Sequence, residues 1–384
     1  MDEPASDVPP PATGPRRWLR WWLLALPLGV AAGVLAGRAL AASGTRFEAF
    51  RDASPLALVL GLPLILWLVL AVHEGGHLIA ARLQGWPFLL LLVGPLRVVR
   101  GTSGLVWGFN RAWATWGGLT ASIPPVDERF RRQMLCMVLA GPLASVALGA
   151  AVLLLARRGD ALAAFGVVGG VTSLLIAVVT LLPMQGGGYQ SDGAQALDLL
   201  RGGDLSRRRA RRLALLMRGF AGLRPRDTDP AEVHASLDET ADPRERLALW
   251  TVLLHIAMDR GAVEDGARAA HEVAALYHHF PDGMRQMVAL DLAWFFGRHA
   301  GAATDAAAWL AQSAGGFVDP FQRPLAEAGL AWAEGRLEDA RRAAAHARGL
   351  LPRAMDPGVA AAMTDQLAAL DRDLDARQRR LPVP

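Results

Sequence analysis

Four stretches of this 384-residue chain stay apolar for as long as a bilayer is thick: Trp18–Ala42, Leu56–Arg82, Met134–Leu155 and Ala161–Leu182. A helix rises about 1.5 Å per residue and the hydrocarbon core is about 30 Å deep, so about 20 mostly apolar residues cross it. Backbone polar groups in lipid must pair within their own segment, which makes such runs helices. The expected fold is therefore mostly α: a polytopic membrane protein of about four transmembrane helices. The arginines set its orientation. They cluster before the first run (Arg16, Arg17, Arg20), between the second and third (Arg97, Arg100, Arg111, Arg129, Arg131, Arg132) and after the fourth (Arg201, Arg207, Arg208, Arg209, Arg211, Arg212), which puts both termini in the cytoplasm. A bacterial inner membrane is the expected location.

Composition agrees with a membrane part joined to a water-exposed part, because 52% of residues are hydrophobic yet 20% are charged. All 40 basic residues are arginine against 36 acidic ones, and they gather beside the greasy runs. Headgroups and topology account for them, so nucleic acid is not an expected partner. The single cysteine, Cys136, excludes an intrachain disulfide and a CxxC-type zinc or redox site. The Pro-rich, acidic residues 1–15 lack the basic start of a secretory signal and read as a disordered tail.

Between the second and third runs, "WPFLLLLVGPLRVVRGTSGLVWGFNRAWATWGGLTASIPP" (86–125) is too broken by Gly and Pro to span. Its short Val-, Leu- and Trp-containing runs predict two to four strands in a small membrane-associated β segment. Trp18, Trp21, Trp22, Trp107, Trp113 and Trp116 read as anchors at the lipid–water interface. Beyond residue 220 amphipathic helices alternate with Gly and Pro. Similar stretches begin at Gly261, Gly301 and Gly335, spaced near the 34-residue period of tetratricopeptide-type hairpins. A generic Ala-rich bundle explains them equally well. The expected division is a tail (1–15), a membrane-embedded domain (16–200), a basic linker (201–230) and a cytoplasmic α-helical domain (231–384).

Within the second run, "LVLAVHEGGHLIAARL" places His73, Glu74 and His77 where lipid is expected. Ionisable residues there are expensive and point to function. Residues four apart share a helix face, so both imidazoles of this HExxH reach one metal ion, and Glu74 stands next to a water on that ion. A catalytic zinc site needs a third protein ligand. Asp192 in "LLPMQGGGYQSDGAQALDLL" is the candidate, since Pro183 and three glycines stop the fourth helix and free the chain to return; Asp198 is the reserve. His271, Glu272, His278 and His279 lack ligand spacing and read as a solvated surface.

With "HEGGH", the strand-like "WATWGGLTASIPP", the small-residue helix "AGPLAS" (140–145) and the late "LLPMQGGGYQSDG", residues 56–200 resemble the site-2 protease family of intramembrane zinc metalloproteases. The resemblance implies Zn2+ held by His73, His77 and Asp192, Glu74 as catalytic base, a membrane-protein substrate, and a strand near Gly117–Thr120 that pairs with the unwound substrate. The chain departs from the family pattern in three places. Thr180, Leu181 and Leu182 precede Pro183 where an Asn is usual, "MQGGGYQS" separates Pro183 from Asp192, and Ser145 stands where Asn is common. Two other readings stay open. One is an HExxH membrane protease with a cytoplasmic zinc domain, whose third ligand is Glu232, Glu239 or Glu245. The other is a non-catalytic adaptor, anchored in the bilayer, that binds a protein partner through its helical domain.

Overall fold

The computed structural model describes residues 54–380, except 112, 126–128, 158–161, 187–188 and 282. The tail, the first apolar run and Trp18, Trp21 and Trp22 lie outside the described residues. The described chain is mostly helical, with one small antiparallel sheet.

Three helices are long and apolar enough to cross a membrane: α1 (Pro55–Leu83), α2 (Phe130–Ala156) and α3 (Ala163–Leu181). Ser54 starts α1 by accepting the Ala57 N–H, and Pro55 at the first position has no N–H to waste. The outer face of α1 is greasy and uncovered, with Leu56, Val59, Leu60, Leu64 and Leu68 all exposed. A water-soluble monomer rarely leaves such a contiguous surface bare; lipid is the solvent that fits it. On the inner side small residues let the helices touch. Gly76 lies against Ala140 and Ala144, and Gly149 against Gly170 and Leu174.

After Leu83 the chain doubles back along α1 as a sheet. Strands β1 (Phe88–Val93), β2 (Leu96–Gly101), β3 (Gly104–Phe109) and β4 (Leu119–Ser122) are all antiparallel, in the order β3-β2-β1-β4. The Trp67 indole N–H donates to the Val93 carbonyl at 3.0 Å and pins the far end of β1 to mid-α1. The predicted β segment is therefore four strands.

The chain then continues through α4 (Asp192–Arg201) and α5 (Asp204–Met217), so the basic stretch 201–230 contains a helix. Eight more α-helices follow: α6 (Pro230–Asp238), α7 (Pro243–Arg260), α8 (Val263–Leu276), α9 (Arg285–Trp294), α10 (Ala303–Ala311), α11 (Gln322–Ala333), α12 (Leu337–Leu350) and α13 (Pro357–Gln378). Gly261, Gly301 and Gly335 each adopt the left-handed conformation just before α8, α10 and α12, so the three similar stretches are the second arms of helical hairpins. One apolar core, centred on Leu247, Leu254, Leu292, Trp294 and Leu367, holds these helices together.

The helical part packs on the sheet. Leu90, Leu92 and Val99 meet Phe317 and Met355, joined by Phe220 and Met287. Around this patch, Thr102 and Ser103 donate through their hydroxyls to the Pro352 carbonyl, each at 2.8 Å. Arg97 donates to the Val318 carbonyl at 3.2 Å and lies over the Phe317 ring.

Beside them Asp319 is buried, accepting the Met355 N–H. Burial outweighs that bond and the nearby Arg97 charge and pushes its carboxyl up to about 7, with Asp356 and Asp291 adding to the rise. A carboxyl raised on folding contributes stability that is complete below its unfolded value and is lost as pH rises through about 7. Thermal melts of the detergent-solubilised chain should therefore weaken by about 2 kcal/mol between about pH 5.5 and about pH 8.5. Asp319→Asn, neutral throughout, should remove most of that slope; an unchanged slope would assign the pH dependence elsewhere.

Candidate metal centre

The site begins with the helical repeat of α1, which puts His73, Glu74 and His77 on or beside its inner face, all three buried. His73 lies ten residues before Leu83, about 15 Å from the end of the helix. α2 supplies the wall. Its Gly141 gives the His77 ring room, because a Cβ there would come within 2.2 Å of Nε2. Pro142 cannot donate to the helix ladder, which loosens α2 at this point. One residue before the acceptor that Pro142 leaves free, the Met137 carbonyl accepts from His77 Nδ1 at 2.8 Å. His73 Nδ1 meets Ser145 Oγ at 2.9 Å, and Ser145 is in turn held by the Ser173 hydroxyl on α3, which donates to its carbonyl at 2.7 Å. With Nδ1 of each ring occupied from behind, the Nε2 lone pairs are presented forward, the arrangement seen where imidazoles bind metals.

The carboxylate arrives from α4. Ser191 caps that helix, accepting the Ala194 N–H at 3.2 Å, and ties it to the end of α3 by donating to the Leu182 carbonyl at 2.6 Å. At the other end of α4, Arg131 of α2 donates to the Leu199 carbonyl at 2.7 Å. Gly193 packs so closely under α3 that a Cβ would collide with the Leu181 carbonyl. Asp192, first residue of the helix, therefore faces the imidazoles. Its Oδ2 is 3.2 Å from His73 Nε2 and its Oδ1 3.5 Å from His77 Nε2, while the two Nε2 atoms are 3.3 Å apart.

These distances provide a test of fit. In a tetrahedral zinc site with bonds of about 2.0–2.1 Å, neighbouring ligand atoms are about 3.3 Å apart. The two imidazole nitrogens match that spacing, the carboxylate stands within 3.2–3.5 Å of them through one oxygen for each, and two imidazoles with one carboxylate is a donor set suited to zinc. Among the described residues this is the one group of three or more His, Cys, Asp or Glu side chains close enough to hold a metal ion. The alternative carboxylates are engaged elsewhere. Glu232 pairs with Arg218, Glu239 with Arg211 and Glu245 with Arg212, at 2.6, 3.3 and 2.8 Å. Asp198 accepts from Gln190 and is not part of the group.

Glu74 is oriented by the sheet. Thr120 of β4 donates to its Oε2 at 2.7 Å. Gly118, at φ +106°, lies so close that a Cβ would come within 2.3 Å of Oε1. Sequence reasoning named the three donors and Glu74. It did not anticipate Met137, Ser173, Ser191 or the Thr120 contact with Glu74, and it noted Ser145 only as a departure from a family pattern. The chain matches no protein-family model, no curated protein and no solved structure.

The supports behind the rings generate two expectations. Ser145→Ala should weaken divalent-metal affinity about 10- to 100-fold, read by competition with a chelating dye. Gly141→Ala should displace the His77 ring and lose more affinity than that, with a melt that shows the helices still packed. Wild-type affinity in both variants would mean that the rings are not held from α2.

Proposed function

We propose that this chain is a zinc endopeptidase that cleaves a peptide bond in or near a membrane-spanning segment of a protein substrate. The observation that carries the reading is the meeting of His73, His77 and Asp192, residues 119 positions apart at the extremes, beside a glutamate held to a sheet edge, with both imidazoles on a helix long enough to span a bilayer. The resemblance to site-2 proteases in the order of the motifs supports it. A zinc ion in such a site polarises a carbonyl and lowers the pKa of a water to about 7.

The protein groups do the rest. Glu74 accepts the proton of the attacking water and passes it to the leaving amine, so one water is consumed and one C–N bond is broken. Thr120 fixes one oxygen of Glu74 and leaves the carboxylate few rotamers to sample. Peptide bonds in a helix are hidden by their own hydrogen bonds, so the substrate must be extended when it is cut. The outer edge of β4 offers unpaired backbone groups for it to pair with. The helical hairpins of the C-terminal part, tetratricopeptide-like in spacing, are suited to holding a cytoplasmic protein partner. A fourth span within residues 18–42 and both termini in the cytoplasm complete the proposed topology.

The test is Glu74→Gln in the full chain, purified in detergent and supplied with zinc and a library of unstructured peptides. Cleavage should fall at least about 100-fold while bound zinc is unchanged. Undiminished cleavage would remove Glu74 from the chemistry, and zinc lost together with activity would make it a structural residue.

A further inference from the structure

Many surface arginines of the helical part are matched by carboxylates: Arg336 and Arg342 pair with Asp339, Arg341 with Asp375 and Arg348 with Asp371. A second group is not. Arg131 and Arg132 in the first turn of α2, Arg201 in the last turn of α4 and Arg208 one turn into α5 are all exposed. Among the described residues no carboxylate pairs with any of these four. Arg131 donates to the Leu199 and Leu200 carbonyls at 2.7 and 3.1 Å, and its guanidinium lies against Gly202, which brings Arg201 beside the start of α2. α5 follows directly and touches both α2 and α4. Further along α5 the pattern changes, because Arg211 pairs with Glu239 at 3.3 Å and the buried Arg212 with Glu245 at 2.8 Å. The depth of the unmatched group follows from helix length. Counted back from Ala156, the roughly 20 residues that cross a hydrocarbon core end near Met137. Arg132 and Arg131 lie about 7–9 Å beyond, at the depth of lipid headgroups.

We propose that this face is a binding site for anionic phospholipid, in which Arg132, Arg201 and Arg208, with Arg131, hold the phosphodiester headgroups around the start of α2. Charge complementarity chooses the occupant. A guanidinium presents a planar fork that fits two oxygens of a phosphate, and these four carry positive charge that no carboxylate of the described chain offsets. A leaflet supplies phosphates at the depth where the arginines stand. Zwitterionic lipid brings its own ammonium group and leaves the charge of the face unbalanced, so a net anionic headgroup is preferred. The corner that meets the lipid is also the corner that Arg131 ties to α4, the helix that begins with Asp192. Headgroup binding therefore holds the far end of the helix that delivers the carboxylate to the metal centre. The assignment does not depend on the endopeptidase reading.

The experiment titrates the full chain, in an uncharged detergent, with fluorescent short-chain phosphatidylglycerol, and with phosphatidylcholine of the same chain length. Phosphatidylglycerol should bind at least about tenfold more tightly, with an affinity that falls as salt is raised. Arg132→Gln, Arg201→Gln and Arg208→Gln should each weaken it about fivefold, and the three together about 100-fold. The corresponding triple lysine variant keeps the charge and should lose much less, a rescue that a merely structural role would not show. If the triple glutamine variant does not fold, the single substitutions and the lysine variant decide the matter. A phosphatidylglycerol with a photoreactive headgroup should crosslink to residues 131–132, 201 or 208. Equal binding of the two lipids, affinity unchanged in the glutamine variants, or crosslinks confined to other parts of the chain overturns the proposal. Competition by glycerol phosphate at the same concentration as the lipid also overturns it, since the site would then belong to a soluble phosphate.

Discussion

The arrangement depends on how closely α1 and α2 approach. A helix brings His73 and His77 to one face without help, but two imidazoles in an apolar environment are a burden until something orients them. α2 does so because Gly141 leaves room for one ring, the Met137 carbonyl takes its back nitrogen and Ser145 takes that of the other. Any bulk at Gly76 or Gly141 would separate the helices. The Nε2 atoms would then lose the spacing of about 3.3 Å that a tetrahedral ion requires. The return of Asp192 through Ser191 and Gly193 completes a cup whose walls are backbone and small side chains, which move little.

The sheet joins this centre to the rest of the chain. Through Trp67 and Thr120 it is fastened to α1, and through its opposite face to the helical part. A strand cannot shift by one residue without exchanging its two faces. The distance from Glu74 to the edge of β4 is therefore set by contacts on both sides of the sheet. The helical part is thereby a structural element that supports the site.

Much of this was legible in the sequence. Apolar length fixed the second, third and fourth runs to within a few residues of α1, α2 and α3, because bilayer thickness leaves little choice. His73, Glu74 and His77 were readable because their spacing is local to one helix. Asp192 was readable because Pro183 and the glycines marked where the helix had to stop. The first span and the tail belong to residues outside those described. What the sequence hid depends on tertiary contact: a backbone carbonyl as the partner of His77, a threonine from a distant strand on Glu74, and the helical part covering the sheet. None of these leaves a periodicity or a spacing. Glu232, Glu239 and Glu245, the candidate third ligands of the rival zinc site, each pair directly with an arginine distant in sequence, a contact that no local spacing announces.

The central claim is that His73, His77 and Asp192 together hold one zinc ion. X-ray absorption at the zinc edge, on protein loaded with one equivalent, tests it most directly. The account predicts two imidazole ligands and oxygen ligands at about 2.0–2.1 Å, with the imidazole scattering reduced in His73→Ala and His77→Ala and an oxygen ligand lost or replaced in Asp192→Ala. A spectrum without imidazole scattering, or one left unchanged by all three substitutions, would contradict it.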